Sequence, residues 1–389
     1  MVTLVVNPGS SSKKYAFYRN GQKTLVVRFE KTSEGFGRSV SINKEEQHCD
    51  DVSVHMYREA LQEVLNIAKK EKVVTSLADI THVVVRVVAP GTYFQTHREI
   101  NEKFIGKLIR VESILPLHIP SVLEEITSVK KLLNKATLVG ASDSAFHSTI
   151  PSKHAKYSLR DAESLEVRRY GYHGLSVGSI VSKLPEVLGN VPSKVVVAHI
   201  GSGVSITALK DGQSLYNSMG YTPASGVMMG SRAGDIDPGA LIEVLNKTET
   251  KLSGGHRYIQ SNGGFAGLLG VTDLRTVLAR EQQGDTAAIE ALEIFIFNIQ
   301  SQIATAITAL GGIEALVLSA TAMERNPDLR QRVLKGLEFF GFKIDEKANE
   351  SLMNRPGIIS FKDSQITVAL VPTDEMGEMA KASIQGKAH

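Results

Sequence analysis

LVVNPGSSSKKYAFYRNGQ, residues 4–22, and VVAHIGSGVSITALKDGQ, residues 196–213, are built to one plan. Each is an apolar run that enters a turn of small residues, leaves it as a second strand, and closes on a polar turn ending in Gly-Gln. Gly9 and Gly201 lie about half a chain apart, a period that reads as duplication of a whole domain rather than a short repeat. Such a turn can point backbone N–H groups and hydroxyls, here Ser10, Ser11, Ser12 and Ser202, into a shared cleft. Taken singly, each unit is either an ordinary polar hairpin or an anion-binding turn. Two copies half a chain apart favour a two-domain phosphotransferase with its substrate held between the halves.

Outward from these strands, apolar runs at residues 80–88, 195–198, 315–319 and 366–371 read as buried strands. They are interleaved with amphipathic helical stretches such as residues 54–70, so the architecture is α/β. Residues 294–313 carry no charge and have the length of a membrane span. Asn298, Gln300, Ser301, Gln302, Thr305 and Thr308 interrupt it, and Leu292, Ile296, Ile299, Ile303, Ile307 and Leu310 recur at helical spacing. The stretch therefore reads as a long buried helix in a core or a subunit interface, and the protein as soluble.

At 389 residues the chain has room for roughly two or three domains. Its 44 basic and 41 acidic residues give a net charge of +3 with no Lys/Arg block, which excludes a nucleic-acid footprint and leaves small molecules as partners. The lone cysteine, Cys49, excludes an intramolecular disulfide and a cysteine-based zinc site and points to a reducing cytoplasm. The start, MVTLVVNPGS, has no basic segment and too short an apolar run for a signal peptide. The absence of G-x-x-x-x-G-K-[ST], G-x-G-x-x-G and H-E-x-x-H leaves P-loop, Rossmann and zincin readings without local support.

Two arginines stand out. Arg232 sits among glycines in SMGYTPASGVMMGSRAGDIDPG, residues 218–239, where a guanidinium can grip an oxyanion bidentately and Asp235 and Asp237 can orient it or a metal. The other reading is a Gly-rich surface loop. Arg86 lies inside VVVRVV, where an unpaired buried cation would cost several kcal/mol. It either reaches a cleft or a partner, or faces solvent from an edge strand.

These motifs, with LPLHIP (115–120), SDSAFHSTIP (142–151), RRYGYHGLS (168–176), TDLR (272–275) and PTDE (372–375), follow one another along nearly the whole chain. In order and spacing the chain resembles the acetate and propionate kinases, the acetokinase family of the sugar-kinase and actin superfamily. The resemblance implies an α/β fold of two duplicated actin-like, ribonuclease H-like domains flanking a central cleft. Residues 1–146 with a final helix at about 376–389 would form the N-terminal domain, and residues 147–375 a C-terminal domain carrying the nucleotide side and a homodimer interface. The implied reaction is reversible, Mg²⁺-dependent, direct in-line phosphoryl transfer between ATP and acetate, giving acetyl phosphate and ADP, with Mn²⁺ as an alternative ion.

A carboxylic acid with a pKa of about 4 is already ionised at neutral pH, so the attacking group needs no general base. Positioning and charge neutralisation then carry the barrier. By resemblance, Arg86 and Arg232 bind the carboxylate and the equatorial oxygens of the transferring group. His173 hydrogen-bonds that group, His118 lines the site, and Asp143 positions the metal or Arg232. Asn7 and Glu375 are the metal side, hard oxygens that suit Mg²⁺. His118 and His147 read equally as structural histidines, and Asp143 and Glu375 as helix caps or surface acids. Ser12 and Lys14, with Ser10, match the phosphate neighbourhood, as do His199, Gly201, Ser202 and Gly203. Asp273 and Arg275 match the nucleotide side, where Thr321, Ala322, Met323 and Glu324 would also lie. Val88, Leu117, Tyr172 and Pro223 would form a small apolar niche for the tail of acetate or propionate.

The chain departs from the family pattern at the site. The His-Gly-Gly after the strand arginine is Ala89-Pro90-Gly91, and H-x-G-N-G is His199-Ile200-Gly201-Ser202-Gly203. The glycine-rich G-G-I-G-E-N turn is Ala320-Thr321-Ala322-Met323-Glu324-Arg325, whose side chains would narrow or fill an adenine pocket, or let Met323 pack on the base. Lys13 stands where an apolar residue is usual. A filled pocket is what use of pyrophosphate instead of ATP would require. A catalytically impaired binding protein is the third reading, opposed by the retention of Arg86, Arg232, Asp143, His173 and Glu375.

Overall fold

The computed structural model describes residues 2–9, 12–32, 35–43 and 45–385, without the side chains of residues 46–48, 384 and 385. Ser10 and Ser11 of the first turn lie outside the described residues. The chain divides into two compact units. The first is Met1–Ala89 with Thr96–Ala145 and Glu375–His389, and the second is Pro90–Gln95 with Phe146–Asp374.

In the first unit the strands are β1 (Val2–Pro8), β2 (Ser12–Arg19), β3 (Gln22–Lys31), β4 (Phe36–Ile42), β5 (Glu45–Val52), β6 (Ile80–Val87), β7 (Arg98–Glu99) and β8 (Thr137–Ser142). They form one sheet in the order β5-β4-β3-β2-β1-β6-β8-β7. β1, β2 and β3 are antiparallel neighbours, whereas β1, β6 and β8 run parallel. Every residue of β1 is buried, as expected of a strand covered on both faces. Against β1, β6 and β8 packs the last helix, Glu375–Gln385.

The second unit repeats this plan with β9 (Lys194–Ile200), β10 (Val204–Lys210), β11 (Gln213–Asn217), β12 (Ala315–Ser319), β13 (Gly357–Ile358) and β14 (Thr367–Leu370), ordered β11-β10-β9-β12-β14-β13. The opening antiparallel strands number three here against five in the first sheet, two later strands again run parallel, and again a two-residue strand closes the edge antiparallel. The hairpin turns agree too. Asn20-Gly21 has φ of 50° and 77°, and Asp211-Gly212 has 51° and 75°, the paired positive values that a tight hairpin needs and that Asn-Gly and Asp-Gly supply at little cost. The duplicated α/β architecture expected from the sequence is therefore present in both sheets.

Alternation along β9 sends Val195 and Val197 to one face, where Leu209, Val317 and Ala369 meet Val177, Ile180 and Leu184. The other face is covered by the helix Thr286–Leu310, to which Tyr216 of β11 is tied through its hydroxyl to Gln302 at 2.9 Å. From Ile294 onward that helix is the uncharged stretch of the sequence. Asp285 caps its start with bonds from Ala287 N and Ala288 N, and Gly311 at φ 64° ends it. Among the described residues no helix is long and apolar enough to cross a membrane.

The helix expected over residues 54–70 is two helices, Val54–Arg58 and Ala60–Lys70. Glu59, at φ −89° and ψ 26°, interrupts them. Ser53 caps the short first piece, which buries nothing, while the second sinks Leu61, Val64, Leu65 and Ala68 into the core. The apolar stripe belongs to the second piece alone.

Candidate active site

In the first unit, Arg86 stands near the end of β6 as a half-buried cation. Its Nη2 donates to Asp143 Oδ2 at 3.1 Å, and its Nη1 to Glu375 Oε2 at 3.3 Å and Asn7 Oδ1 at 3.5 Å. Each partner comes from a different element: Asn7 from β1, Asp143 from just beyond β8, and Glu375 from the first position of the last helix. Burial alone would lower the guanidinium's pKa, but the charges of Asp143 and Glu375 override it and raise it above the ordinary value. Two of these three bonds are long, and Nε is buried with no hydrogen-bond partner among the described residues. The group is thus firmly charged, loosely held on one side, and has a donor left over.

Lys14 faces the same way, since it pairs with Asn7 across β1 and β2. Burial lowers its pKa first, and Arg28 and Arg86 lower it further, while Glu375 and Glu30 work against them. Cations crowded in this way favour an anion among them. Ser12, at the start of β2, is half-buried. Lys13 alternates to the other face, where its Nζ meets Glu125 Oε1 at 2.9 Å beside the Tyr15 hydroxyl, which donates to the same carboxylate at 2.9 Å. The residue unusual for the family therefore neutralises an acid that is only 3% exposed. Val88, Leu117 and His118 are half-buried, and His118 stands at the start of the helix Ile119–Leu132.

In the second unit, His173 precedes the helix Gly174–Val181 and is held left-handed at φ 60°, ψ 24°. Its ring lies 4.2 Å from that of His199, centroid to centroid. Each ring is fixed through Nδ1 to a serine hydroxyl, His173 to Ser205 at 3.0 Å and His199 to Ser176 at 2.7 Å. The Nε2 atoms are thereby turned toward the loop between β9 and β10. A Cβ added at Gly203 would lie 2.9 Å from His173 Nε2, too close for the ring as it stands, and 3.7 Å from Arg232 Nη1, an ordinary contact. Arg232 rests on the Pro223 carbonyl at 3.4 Å and on Met229 Sδ at 3.5 Å. Met229 is backed in turn by Gly264, φ +59°, where a Cβ would strike the Met229 carbonyl at 1.8 Å. Ser202 is exposed at the tip of the turn, with Gly201 beside it.

Asp235 and Asp237 do other work than that read from the sequence. Asp235 accepts from Gly226 N at 2.8 Å and Gln302 Nε2 at 2.9 Å, stapling the loop, and Asp237 caps the helix Pro238–Lys247. Asp143 is engaged by Arg86 of its own unit. His147 is structural, because its Nε2 reaches the Tyr172 carbonyl at 2.9 Å and its Nδ1 the Ser214 hydroxyl at 2.8 Å. Tyr172 is fully buried, with its hydroxyl donating to Tyr221 O at 2.6 Å.

Asp273 caps the helix Leu274–Gln282 and pairs with its neighbour Arg275, Nη2 to Oδ2 at 2.6 Å, at the surface. Residues Thr321–Arg325 form a short helix after β12. Thr321 is exposed, Ala322 half-buried and Met323 fully buried. The Met323 carbonyl takes a bond from the wholly buried Arg330, whose other contacts are Asn349 Oδ1 at 2.7 Å, Asn349 O, and Leu352 O at 3.0 Å. Burial lowers the Arg330 pKa to about 10. Ala320, just before this helix, stands at φ 69° and ψ 170°, a conformation natural only to glycine. Its Cβ lies 3.3 Å from where a Cβ on Gly201 would be.

Ser205 and Ser176 carried no signal in the sequence. Only the β9–β10 register, which sets Ser205 opposite His199, and the one-turn spacing from His173 to Ser176 reveal them. Among the described residues no three His, Cys, Asp or Glu side chains are grouped to hold a metal by themselves. Asn7 and Glu375 do present adjacent amide and carboxylate groups, Nδ2 to Oε2 at 3.5 Å. Such sparse hard-oxygen ligation fits an ion that arrives largely held by substrate phosphates and water.

Residues 2–381 match the model of the acetokinase family. The acetate kinase 2 of Lactococcus lactis is 33% identical over 385 residues, covering 96% of each chain. Among solved structures, the acetate kinase of Porphyromonas gingivalis is similar at TM-score 0.84 and 31% identity, and a propionate kinase of Francisella tularensis at TM-score 0.88 and 27% identity, each over 99% of both chains.

Proposed function

This chain belongs to the acetokinase family and is a kinase, and from that premise we propose that it transfers a phosphoryl group in line between ATP and acetate, reversibly and with Mg²⁺. The observation that carries the reading is Arg86: a guanidinium near the ends of β1, β6 and β8, kept charged by two carboxylates, with Nε left over. A carboxylate acceptor arrives ionised, so the protein's task is to neutralise and aim, and fixed cations serve it where a general base would not.

To the first unit we assign the carboxylate and the metal. Arg86 orients the acceptor through its planar fork, Asp143 holds Arg86, and Lys14 and Ser12 meet phosphate oxygens. Asn7 and Glu375 would hold Mg²⁺, or Mn²⁺ in its place, and the ion would supply charge neutralisation on phosphate oxygens. To the second unit we assign the phosphoryl group and nucleotide. Arg232 and His173 donate to the equatorial oxygens, His199 and the Gly201–Ser202–Gly203 turn meet the outer phosphates, and Asp273, Arg275 and residues 321–324 lie on the nucleoside side. Within the first unit, Val88 and Leu117 are assigned to the acid's apolar tail, and the single methylene between acetate and propionate is worth only about 1–3 kcal/mol.

The test is hydroxylamine trapping of the acyl phosphate with acetate and either MgATP or Mg-pyrophosphate, in wild type and Arg232→Ala. Product that needs ATP and Arg232 supports the reading. Product with pyrophosphate alone replaces the nucleotide with the smaller donor, a second reading that rests on the replacement of the family's glycine-rich turn by Ala320-Thr321-Ala322-Met323-Glu324-Arg325. No product with either donor rejects both.

The reading also carries a homodimer and a cytoplasmic location. Ile242, Leu252, Leu268 and Phe297 of the second unit are exposed apolar residues suited to a subunit interface. Light scattering that found a monomer at micromolar concentration would remove the dimer, and recovery in the membrane fraction would remove the location.

A further inference from the structure

His97 lies just before β7, outside every motif that marks the site. Its Nδ1 is 3.1 Å from the backbone nitrogen of Ser142, the last residue of β8 and the one before Asp143. A backbone nitrogen can only donate, so Nδ1 must accept and the proton must sit on Nε2. Burial lowers the ring's pKa and supports this neutral form, against the opposite pull of Glu378 on the last helix. Ser142 Oγ then accepts from Ser144 N at 3.3 Å, and Val87 O accepts from Asp143 N at 2.9 Å. Three consecutive amides of the turn are thus tied, and the carboxylate they present, 1% exposed, is the one that meets Arg86 Nη2. Of these ties only the one from His97 is made by a side chain distant in sequence.

We propose that His97 is a positioning residue for the phosphoryl-transfer reaction, acting as the hydrogen-bond acceptor that fixes the turn after β8 and so aims Asp143 at Arg86. The assignment rests on the reaction proposed above. An error of about 1 Å in a positioning group costs on the order of 100-fold in rate, so His97→Leu, which removes the acceptor, should lower kcat by about 10- to 100-fold while leaving the KM for MgATP unchanged. His97→Asn places an amide oxygen where Nδ1 stands and should recover most of that loss. A purely packing role would predict the reverse, with Leu tolerated better than Asn.

The wild-type ring is also examined directly, by ¹⁵N NMR of histidine-labelled protein, which does not depend on turnover. An Nε2–H tautomer with a hydrogen-bonded Nδ1, together with rescue by Asn, supports the proposal. An Nδ1–H tautomer, or Asn and Leu variants equally impaired, overturns it. If the wild type shows the expected tautomer but makes no acyl phosphate, the reaction assignment has failed and the positioning role of His97 in that reaction falls with it, while the hydrogen bond stands.

Discussion

Replacing Arg86 with lysine tests whether the guanidinium acts through its shape as well as its charge. Arg86 bridges with separate nitrogens, Nη2 to Asp143 at 3.1 Å and Nη1 to Glu375 at 3.3 Å. An ammonium is a single nitrogen and can face one of them closely but cannot reproduce the fork. The variant keeps the charge that Asp143, 1% exposed, requires, so the fold is spared the cost of an uncompensated buried acid. What is lost is one charge-assisted hydrogen bond, worth about 1.5–3 kcal/mol. If that bond, or its substitute to substrate, is needed in the transition state, kcat/KM for acetate should fall by about 10- to 150-fold. Hydroxamate formation at saturating MgATP measures the fall, and thermal unfolding should show a Tm close to wild type. Arg86→Ala is the poorer probe, because stranding Asp143 would also destabilise the chain by about 3–5 kcal/mol. A lysine variant with kcat/KM within about 3-fold of wild type would refute the reasoning, since a point charge would then suffice.

Gly203→Ala should lower kcat by about 100-fold without loss of secondary structure by circular dichroism, because its Cβ would stand 2.9 Å from His173 Nε2. Arg330→Met strands four acceptors and should cost about 3–5 kcal/mol in urea unfolding, less than the sum of about 1–3 kcal/mol for each because a buried charge is also removed. Ala320→Gly should stabilise by about 1 kcal/mol through relief of its backbone strain, and under the pyrophosphate reading it should also lower the KM for ATP. Glu324 has a buried Oε1 without a partner among the described residues, and burial raises its pKa above the ordinary value of 4.5. The folded chain then holds that proton more tightly than the unfolded one, so this part of the stability is present below the ordinary carboxylate pKa and is lost as pH rises through the raised value. Glu324→Gln should remove that slope and add about 1 kcal/mol at pH 7, and an unchanged pH profile of Tm would reject the assignment.

The duplicated frame is legible because its signals are local. Asn-Gly and Asp-Gly announce the hairpin turns, and the unbroken apolar run of β1 announces a strand covered on both faces. Residues 54–70 misled because an amphipathic stripe is blind to one residue, Glu59, leaving helical geometry inside it. At the site, the sequence marks residue types that are costly to bury, such as Arg86, and conformations that need glycine, such as the turn at Gly203. It gives no sign of the partners that hold them. Ser205, Ser176 and His97 are ordinary residues until strand register and chain return set them beside a histidine or a turn. Met323 is marked by its position in the loop, while the bond from Arg330, seven residues on, to its carbonyl has no local sign.

The two sheets also explain how one ancestral frame yields two kinds of binding surface. Register gives each unit the same four addresses at the strand ends. In the first they are Asn7 on β1, Lys14 across from it on β2, Arg86 on the parallel neighbour β6, and Asp143 two residues past the partner of Arg86 on β8. In the second the same steps lead to His199, Ser205, Ser319 and Thr373. The first set is an amide and three charges; the second is an imidazole and three hydroxyls. Ser319 and Thr373 are spent on the frame, Ser319 Oγ on Val371 O at 2.6 Å and Thr373 Oγ1 on Ser179 Oγ at 3.2 Å, and Ser205 steadies His173. Arg232, the cation proposed for the phosphoryl group, comes instead from the loop after β11, outside these four addresses. If that division is right, restoring a charge at one of the neutral addresses is not a gain of function: Ser205→Lys should displace His173 and abolish acyl-phosphate formation. A Ser205→Lys variant that retained wild-type turnover would show that the neutral addresses are idle, and the specialisation argued from register would fail.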